Sequence, residues 1–167
     1  IILADQVDAQ LYLLGWIPEH ANILIAGGGT GWILEEVSKL HPSGLTITYI
    51  DASARMIERS RRRNAGNNLV AFTTVAVEEG ALGGRYDVVI TPFLFDNVTE
   101  ESARKICAAV EAHLTAGSLW LYCDFESKGP LWQRLLLRTM YLFFRLCCGI
   151  EAKRMPDMDR CFGAGYT

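Results

Sequence analysis

The stretch Asn22-Ile23-Leu24-Ile25-Ala26-Gly27-Gly28-Gly29-Thr30-Gly31 decides how the rest of the chain is read. Its first half is almost wholly apolar and reads as a buried strand. The glycines that follow read as a tight turn into a helix. A second apolar run, Leu45-Thr46-Ile47-Thr48-Tyr49-Ile50, ends in Asp51. Strand, glycine turn, helix and a second strand tipped by a carboxylate make the first half of a nucleoside-binding α/β unit. Glycine is needed where the backbone turns sharply and lies against a ligand, because a Cβ would block the approach. A carboxylate at the tip of the next strand can accept hydrogen bonds from both hydroxyls of a ribose.

The glycine spacing narrows the ligand. A dinucleotide turn wants G-x-G-x-x-G, with the third glycine on the helix for close packing. Counted from Gly27, that place is Trp32, which cannot serve. The glycines instead fall at every second position, Gly27, Gly29 and Gly31, as G-x-G-x-G. Here the chain resembles the class I S-adenosylmethionine-dependent methyltransferases of small-molecule type, whose first motif is a strand followed by that turn. The plain alternative is a strand-to-helix connection that binds nothing.

Further segments line up in order. Tyr49-Ile50-Asp51-Ala52-Ser53-Ala54-Arg55-Met56-Ile57 resembles the family's second motif. Val70 to Thr73 reads as a third strand. Arg85-Tyr86-Asp87-Val88-Val89-Ile90-Thr91-Pro92-Phe93 reads as a fourth and resembles the family's F-D-V-V segment. Gly117-Ser118-Leu119-Trp120-Leu121-Tyr122-Cys123-Asp124-Phe125 resembles its fifth. The resemblance covers roughly residues 20–125. It implies an α/β, Rossmann-like doubly wound sheet, mostly parallel, in a single domain over residues 1–167. Residues 20–125 would form the nucleoside-binding core, and 126–167 a substrate, lid or interface region. Five strands are countable before Thr167, so the chain reads as truncated before strands six and seven. The resemblance also implies S-adenosylmethionine as co-substrate, with no metal. It implies Ala26, Gly27, Gly28, Gly29, Thr30, Gly31, Asp51, Ala52, Met56, Val77 and Thr91 as cofactor-binding residues. In that family the acid holds the ribose, and the residue at Met56 lies near the adenine.

Two departures from the family pattern stand out. Many members carry an acid two places before the first glycine, where this chain has Ile25. Contacts to a ligand ammonium would then fall to backbone carbonyls such as that of Ala26. Many members also carry an acid after the third strand, where this chain has Ala76, followed by Val77 and Glu78. The backbone at Val77 could read the base instead, with Glu78 as a substitute acid.

Composition fits one soluble domain: 167 residues, half of them hydrophobic, can bury a substantial core. A net charge of −3 argues against nucleic acid as a partner, because that needs clustered cations. The one basic cluster, Arg55, Arg59, Arg61, Arg62 and Arg63, reads as a solvated face near a helix C-terminus, away from the pocket. Five cysteines without C-x-x-C spacing argue against a disulfide framework and a zinc site. Cys107 and Cys123 read as small core residues. With no basic, apolar leader at the amino end, a cytoplasmic location is expected.

Leu131 to Ile150 is the most apolar segment, interrupted by Arg134, Arg138 and Arg145. On a helix those three fall within about 40° of one another and form one stripe. Core or homodimer packing is the favoured reading. A lid over an apolar acceptor comes next, and membrane-surface contact last.

Sulfonium methyl transfer is an in-line displacement on carbon with an already activated leaving group. The protein mainly aligns the reactants and excludes water, so no obligatory triad is expected. If an acceptor hydroxyl needs deprotonation, the weak candidates are Asp96, after strand four, and Asp124, at the tip of strand five. Both residues have a plainer reading as caps or turns, with Asp96 opening the helix that carries Glu100 and Glu101. His20, His41 and His113 are assigned no role. Thr91-Pro92-Phe93-Leu94 differs from the N-P-P-[FY] motif that goes with amide or adenine nitrogens as acceptors. A lone Asp96 does not supply the acidic cluster of the related aminopropyl-transferring enzymes. The expected function is methyl transfer to a small, apolar or aromatic metabolite. The alternative is a non-catalytic relative that keeps the fold for binding or assembly, and a dehydrogenase is a distant third.

Overall fold

The computed structural model describes residues 2–79, 82–92, 94–95 and 98–123. They form a five-stranded parallel sheet in the order β3-β2-β1-β4-β5. The elements run α1 (Ile2–Leu14), β1 (Asn22–Ala26), α2 (Trp32–Leu40), β2 (Ser43–Asp51), α3 (Ala54–Ser60), β3 (Asn67–Thr74), β4 (Tyr86–Pro92), α4 (Glu100–Glu111) and β5 (Leu114–Cys123). The chain moves outward from β1 to β3, then returns to β1's other side as β4. The order therefore reverses between β1 and β4, the point where open α/β sheets gather their ligands. This is the doubly wound Rossmann-like sheet expected from the sequence. Phe93, Asp96, Asp124 and the Leu131–Ile150 segment lie outside the described residues.

Burial follows from strand position. β1 is central, and Ile23, Leu24, Ile25 and Ala26 are all 0% exposed, as a strand covered on both faces requires. Alternation sends Ile23 and Ile25 into one core with Ile33, Leu34 and Val37 of α2 and Ile57 of α3. Leu24 and Ala26 enter the other core, with Phe95 and with Ala103, Ile106 and Val110 of α4. α1 packs on β5 and α2. Two helices are capped by hydroxyl side chains. Ser53 Oγ accepts from Met56 N, and Thr99 Oγ1 accepts from Ser102 N at 3.2 Å. Thr99, not Asp96, therefore starts α4. Glu100 and Glu101 fill its first turn and pair with Arg104 and Lys105 one turn on.

Three strands run longer than the sequence suggests. β5 begins at Leu114, before Gly117, because Leu114 pairs with Tyr86 ahead of an irregularity in the ladder. Gly117, at φ +77°, sits within that irregularity, so the glycine marks a bulge and not a strand start. Thr115 Oγ1 donates there to Tyr86 O and Asp87 Oδ1. Among the described residues, no helix is long and apolar enough to cross a membrane.

Candidate functional site

The carboxyl ends of β1 and β2 are joined by side chain and backbone together. Gly27 N donates to Ile50 O at 2.8 Å, continuing the ladder past the end of β1. The Asp51 carboxylate then accepts from Gly29 N at 3.0 Å through one oxygen and from Ser53 N at 2.9 Å through the other. One acid thus holds the glycine turn and the start of α3. An ionised carboxylate offers about four lone-pair sites, so two remain on the half-buried Asp51. Beneath the turn, Tyr49 is 0% exposed and its phenol donates to Gly29 O at 3.2 Å. Burial pushes that phenol's pKa well above its ordinary value, with the Asp51 charge adding to the effect. Tyr49 therefore remains a donor at all physiological pH.

Each glycine of the turn meets different surroundings. A Cβ on Gly28 would run into the Tyr49 phenol. On Gly27, at φ +69°, it would come within 2.7 Å of Leu94 Cδ1, and on Gly31, at φ +82°, within 2.8 Å of the Ser60 backbone. On Gly29, at φ +59°, it would meet nothing within 4 Å among the described residues. Three of these glycines are thus required by the protein's own packing. Among the described residues, nothing packs against that face of Gly29.

Arg63 corrects the reading of the basic cluster as remote. Its Nε donates to Thr30 O at 3.1 Å, and its Nη1 pairs with Glu35 of α2 at 2.9 Å. Arg61 donates to Phe72 O and lies over that ring at 4.9 Å, while Arg62 pairs with Glu58. Three of the five arginines are therefore engaged, one of them on the glycine turn. Position 63 lies past the end of α3, and no local sequence signal shows that the chain folds back there. Leu94 was likewise not singled out from sequence, although it closes over Gly27.

The remaining expected site residues stand on β1, β4, α3 and the segments after β2 and β3. Ala26 ends β1 and is fully buried, Ala52 is exposed beyond Asp51, and Met56 is half-buried in the first turn of α3. Val77 is 4% exposed and begins a short 3-10 turn, Val77–Glu79, after β3. Glu78 stands toward α4, where it helps Glu101 raise the pKa of Lys105. Thr91, in β4, is 0% exposed, and its Oγ1 accepts from Trp120 Nε1 at 3.0 Å. Its hydroxyl is thus turned into the sheet's α4 side. Ile25, where many relatives have an acid, is fully buried between Tyr49 and Ile90.

Between α1 and the ends of β4 and β5 lies a narrow gap with room for about one water molecule. Its walls include Leu13, Leu14, Ile33, Ile90, Pro92 and Leu121, and Gln10 is the polar residue among them. Among the described residues, no group of three or more His, Cys, Asp or Glu converges as a metal site would require.

The methyltransferase-domain family model matches residues 24–119. Among solved structures, the N-methyltransferase NodS from Bradyrhizobium japonicum WM9 is similar, with TM-score 0.56 and 17% identity over 70% of this chain and 66% of that one. Human N-acetylserotonin methyltransferase in complex with SAM gives TM-score 0.59 and 16% identity over 78% of this chain and 38% of that one. The DhpI–SAH complex gives 0.51 and 20% over 59% and 47%. At these identities the likeness is one of fold, and the chain spans 38–66% of the length of these structures. No curated protein matches the sequence.

Proposed function

We propose, because this chain belongs to the methyltransferase-domain family, that it binds S-adenosylmethionine and transfers its methyl group to a small acceptor. The observation that carries the reading is the pairing of Gly29 with Asp51. The turn leaves open the one Cβ position that its own packing does not fill. The adjoining carboxylate is fixed by two N–H donors and keeps lone pairs to spare. An adenosyl group needs that combination: a backbone without side chains to lie against, and an acceptor for two ribose hydroxyls. Gly27 to Gly31, Asp51 and Ala52 would line the nucleoside, Met56 and the Val77 backbone would flank the base, and Ala26 would face the methionine portion. Residues 20–125 would serve as the nucleoside-binding core.

The bound sulfonium supplies an electrophilic methyl group for in-line displacement. The chain's own residues position that group, orient the acceptor and keep water out. Isothermal calorimetry with S-adenosylhomocysteine tests the reading. Micromolar binding is expected, with no measurable heat from Asp51→Ala and a partial loss from Asp51→Asn, which keeps one carbonyl acceptor. Absence of binding to the unaltered protein would leave the fold in an assembly or binding role and refute methyl transfer.

A further inference from the structure

The glycine turn is shaped from below by a side chain of β2. Tyr49 is fully buried, stands opposite Ile25 in the ladder and lies tilted against Phe72, with ring centroids 5.3 Å apart. A ring so enclosed keeps one orientation, and its hydroxyl is directed at the turn. It donates to Gly29 O at 3.2 Å, fills the space that a Gly28 Cβ would need, and is reached by the Gly31 N–H and the Ser60 hydroxyl. One phenol thus meets Gly28, Gly29 and Gly31. Of these, Gly29 has the most freedom to lose, because a glycine visits both signs of φ with equal ease. Its N–H goes to Asp51 and its carbonyl to Tyr49. Both of its soft dihedrals are therefore held by side chains of one strand. Tyr49 and Asp51 are two residues apart on β2, so they share a face and reach the turn side by side.

Resting on the methyl-transfer reading above, we infer that Tyr49 is a positioning residue of the nucleoside site. By holding Gly29 O it keeps the Gly29 N–H on Asp51, and so aims the carboxylate at the two ribose hydroxyls. A turn that already has its bound shape loses less freedom when a ligand enters, and affinity rises accordingly. Asp51 has a second support in Ser53 N. Loss of the phenol therefore loosens the carboxylate without releasing it, and the effect is smaller than that of Asp51→Ala. Tyr49 acts on the ligand only through Asp51, so its contribution depends on the carboxylate being there.

The test is a double-mutant cycle on the full chain, read by calorimetry with S-adenosylhomocysteine. Wild type, Tyr49→Phe, Asp51→Asn and the double variant are compared at a temperature where circular dichroism shows all four folded. Tyr49→Phe keeps the ring and removes one oxygen, so the core stays filled. It is expected to bind at least about fivefold more weakly than wild type. On the Asp51→Asn background the same change is expected to alter affinity by less than about twofold, because the carboxylate it aims is gone. Equal losses on both backgrounds would make Tyr49 a general support of the fold, and overturn the inference. So would a Tyr49→Phe protein that binds as tightly as wild type. If Tyr49→Phe does not fold, Tyr49→Leu completes the same cycle. Wild-type binding with an indifferent Tyr49→Phe sinks only this inference, whereas no heat from wild type sinks the proposed function with it.

Discussion

The tips of β1 and β2 and the tips of β4 and β5 adjoin in one sheet, yet they are finished in opposite ways. The first pair is bound by backbone: Asp51 grips two amides, Tyr49 holds a carbonyl, and Arg63 reaches across to Thr30. The second pair meets α1 through apolar side chains, with a lone amide among them. Backbone groups give the same geometry whatever the surrounding sequence, so a site made from them suits a group that never changes. Side-chain walls can be altered one substitution at a time, which suits a partner that differs from one enzyme to the next. Under the proposed function, the first serves the cofactor.

Breaking the rigid half gives the largest expected effect. Gly31→Ala forces a left-handed φ on alanine and drives its Cβ into Ser60, and it should cost roughly 2–5 kcal/mol in chemical denaturation. Gly29→Ala carries only the dihedral penalty, roughly 1–2 kcal/mol, because its Cβ meets nothing among the described residues. The same variant should nevertheless weaken S-adenosylhomocysteine binding by at least about tenfold. Equal stability losses for the two would show that the turn is not divided into a packed side and an open side.

Tyr49→Phe comes next, at about 0.5–1.5 kcal/mol for the lost bond to Gly29 O. This variant also has a pH signature. The folded phenol's pKa is raised, so between the ordinary value of about 10 and the folded value the unfolded chain binds fewer protons. Stability from this group is complete below that ordinary value and is lost as pH rises above it. Urea titrations above pH ~10 should show the wild type losing stability faster than Tyr49→Phe, and parallel curves would contradict the burial argument. Arg63→Met is the smallest, about 0.5–1 kcal/mol, because its pair with Glu35 is part-exposed and screened. Its effect on S-adenosylhomocysteine affinity should shrink Asp51's advantage only slightly, and an effect rivalling Asp51→Asn would make Arg63 a principal support of the turn.

Much of this fold is legible from sequence because its signals are local. An apolar run ending in glycines specifies β1 and its turn, and the i, i+3, i+4, i+7 spacing of Ala103, Ile106, Cys107 and Val110 specifies the buried face of α4. What the sequence conceals is why each glycine is there. A run of glycines looks like one feature, yet Leu94, Tyr49 and Ser60 account for three of them through contacts between distant segments. The motif is thus a weaker sign of a ligand than its appearance suggests, and Gly29 carries what remains. Gln10 was invisible for a related reason. A single glutamine in an α1 that otherwise reads as packing shows its isolation only once β4 and β5 stand opposite it. Gly117 misled in the other direction, since a bulge glycine and a strand-starting glycine look alike until the partner strand is known.

The contact of α1 with β5 sets an order of events during folding. The glycine turn, Asp51 and Tyr49 come from neighbouring segments and can assemble while the later strands are still unformed. The wall carrying Gln10 cannot, because the first and last described elements must meet to build it, and most of the described chain lies between them. Closing so long a loop is slow. On a ribosome, the nucleoside half would therefore take shape first, and the wall against α1 only after β5 had emerged.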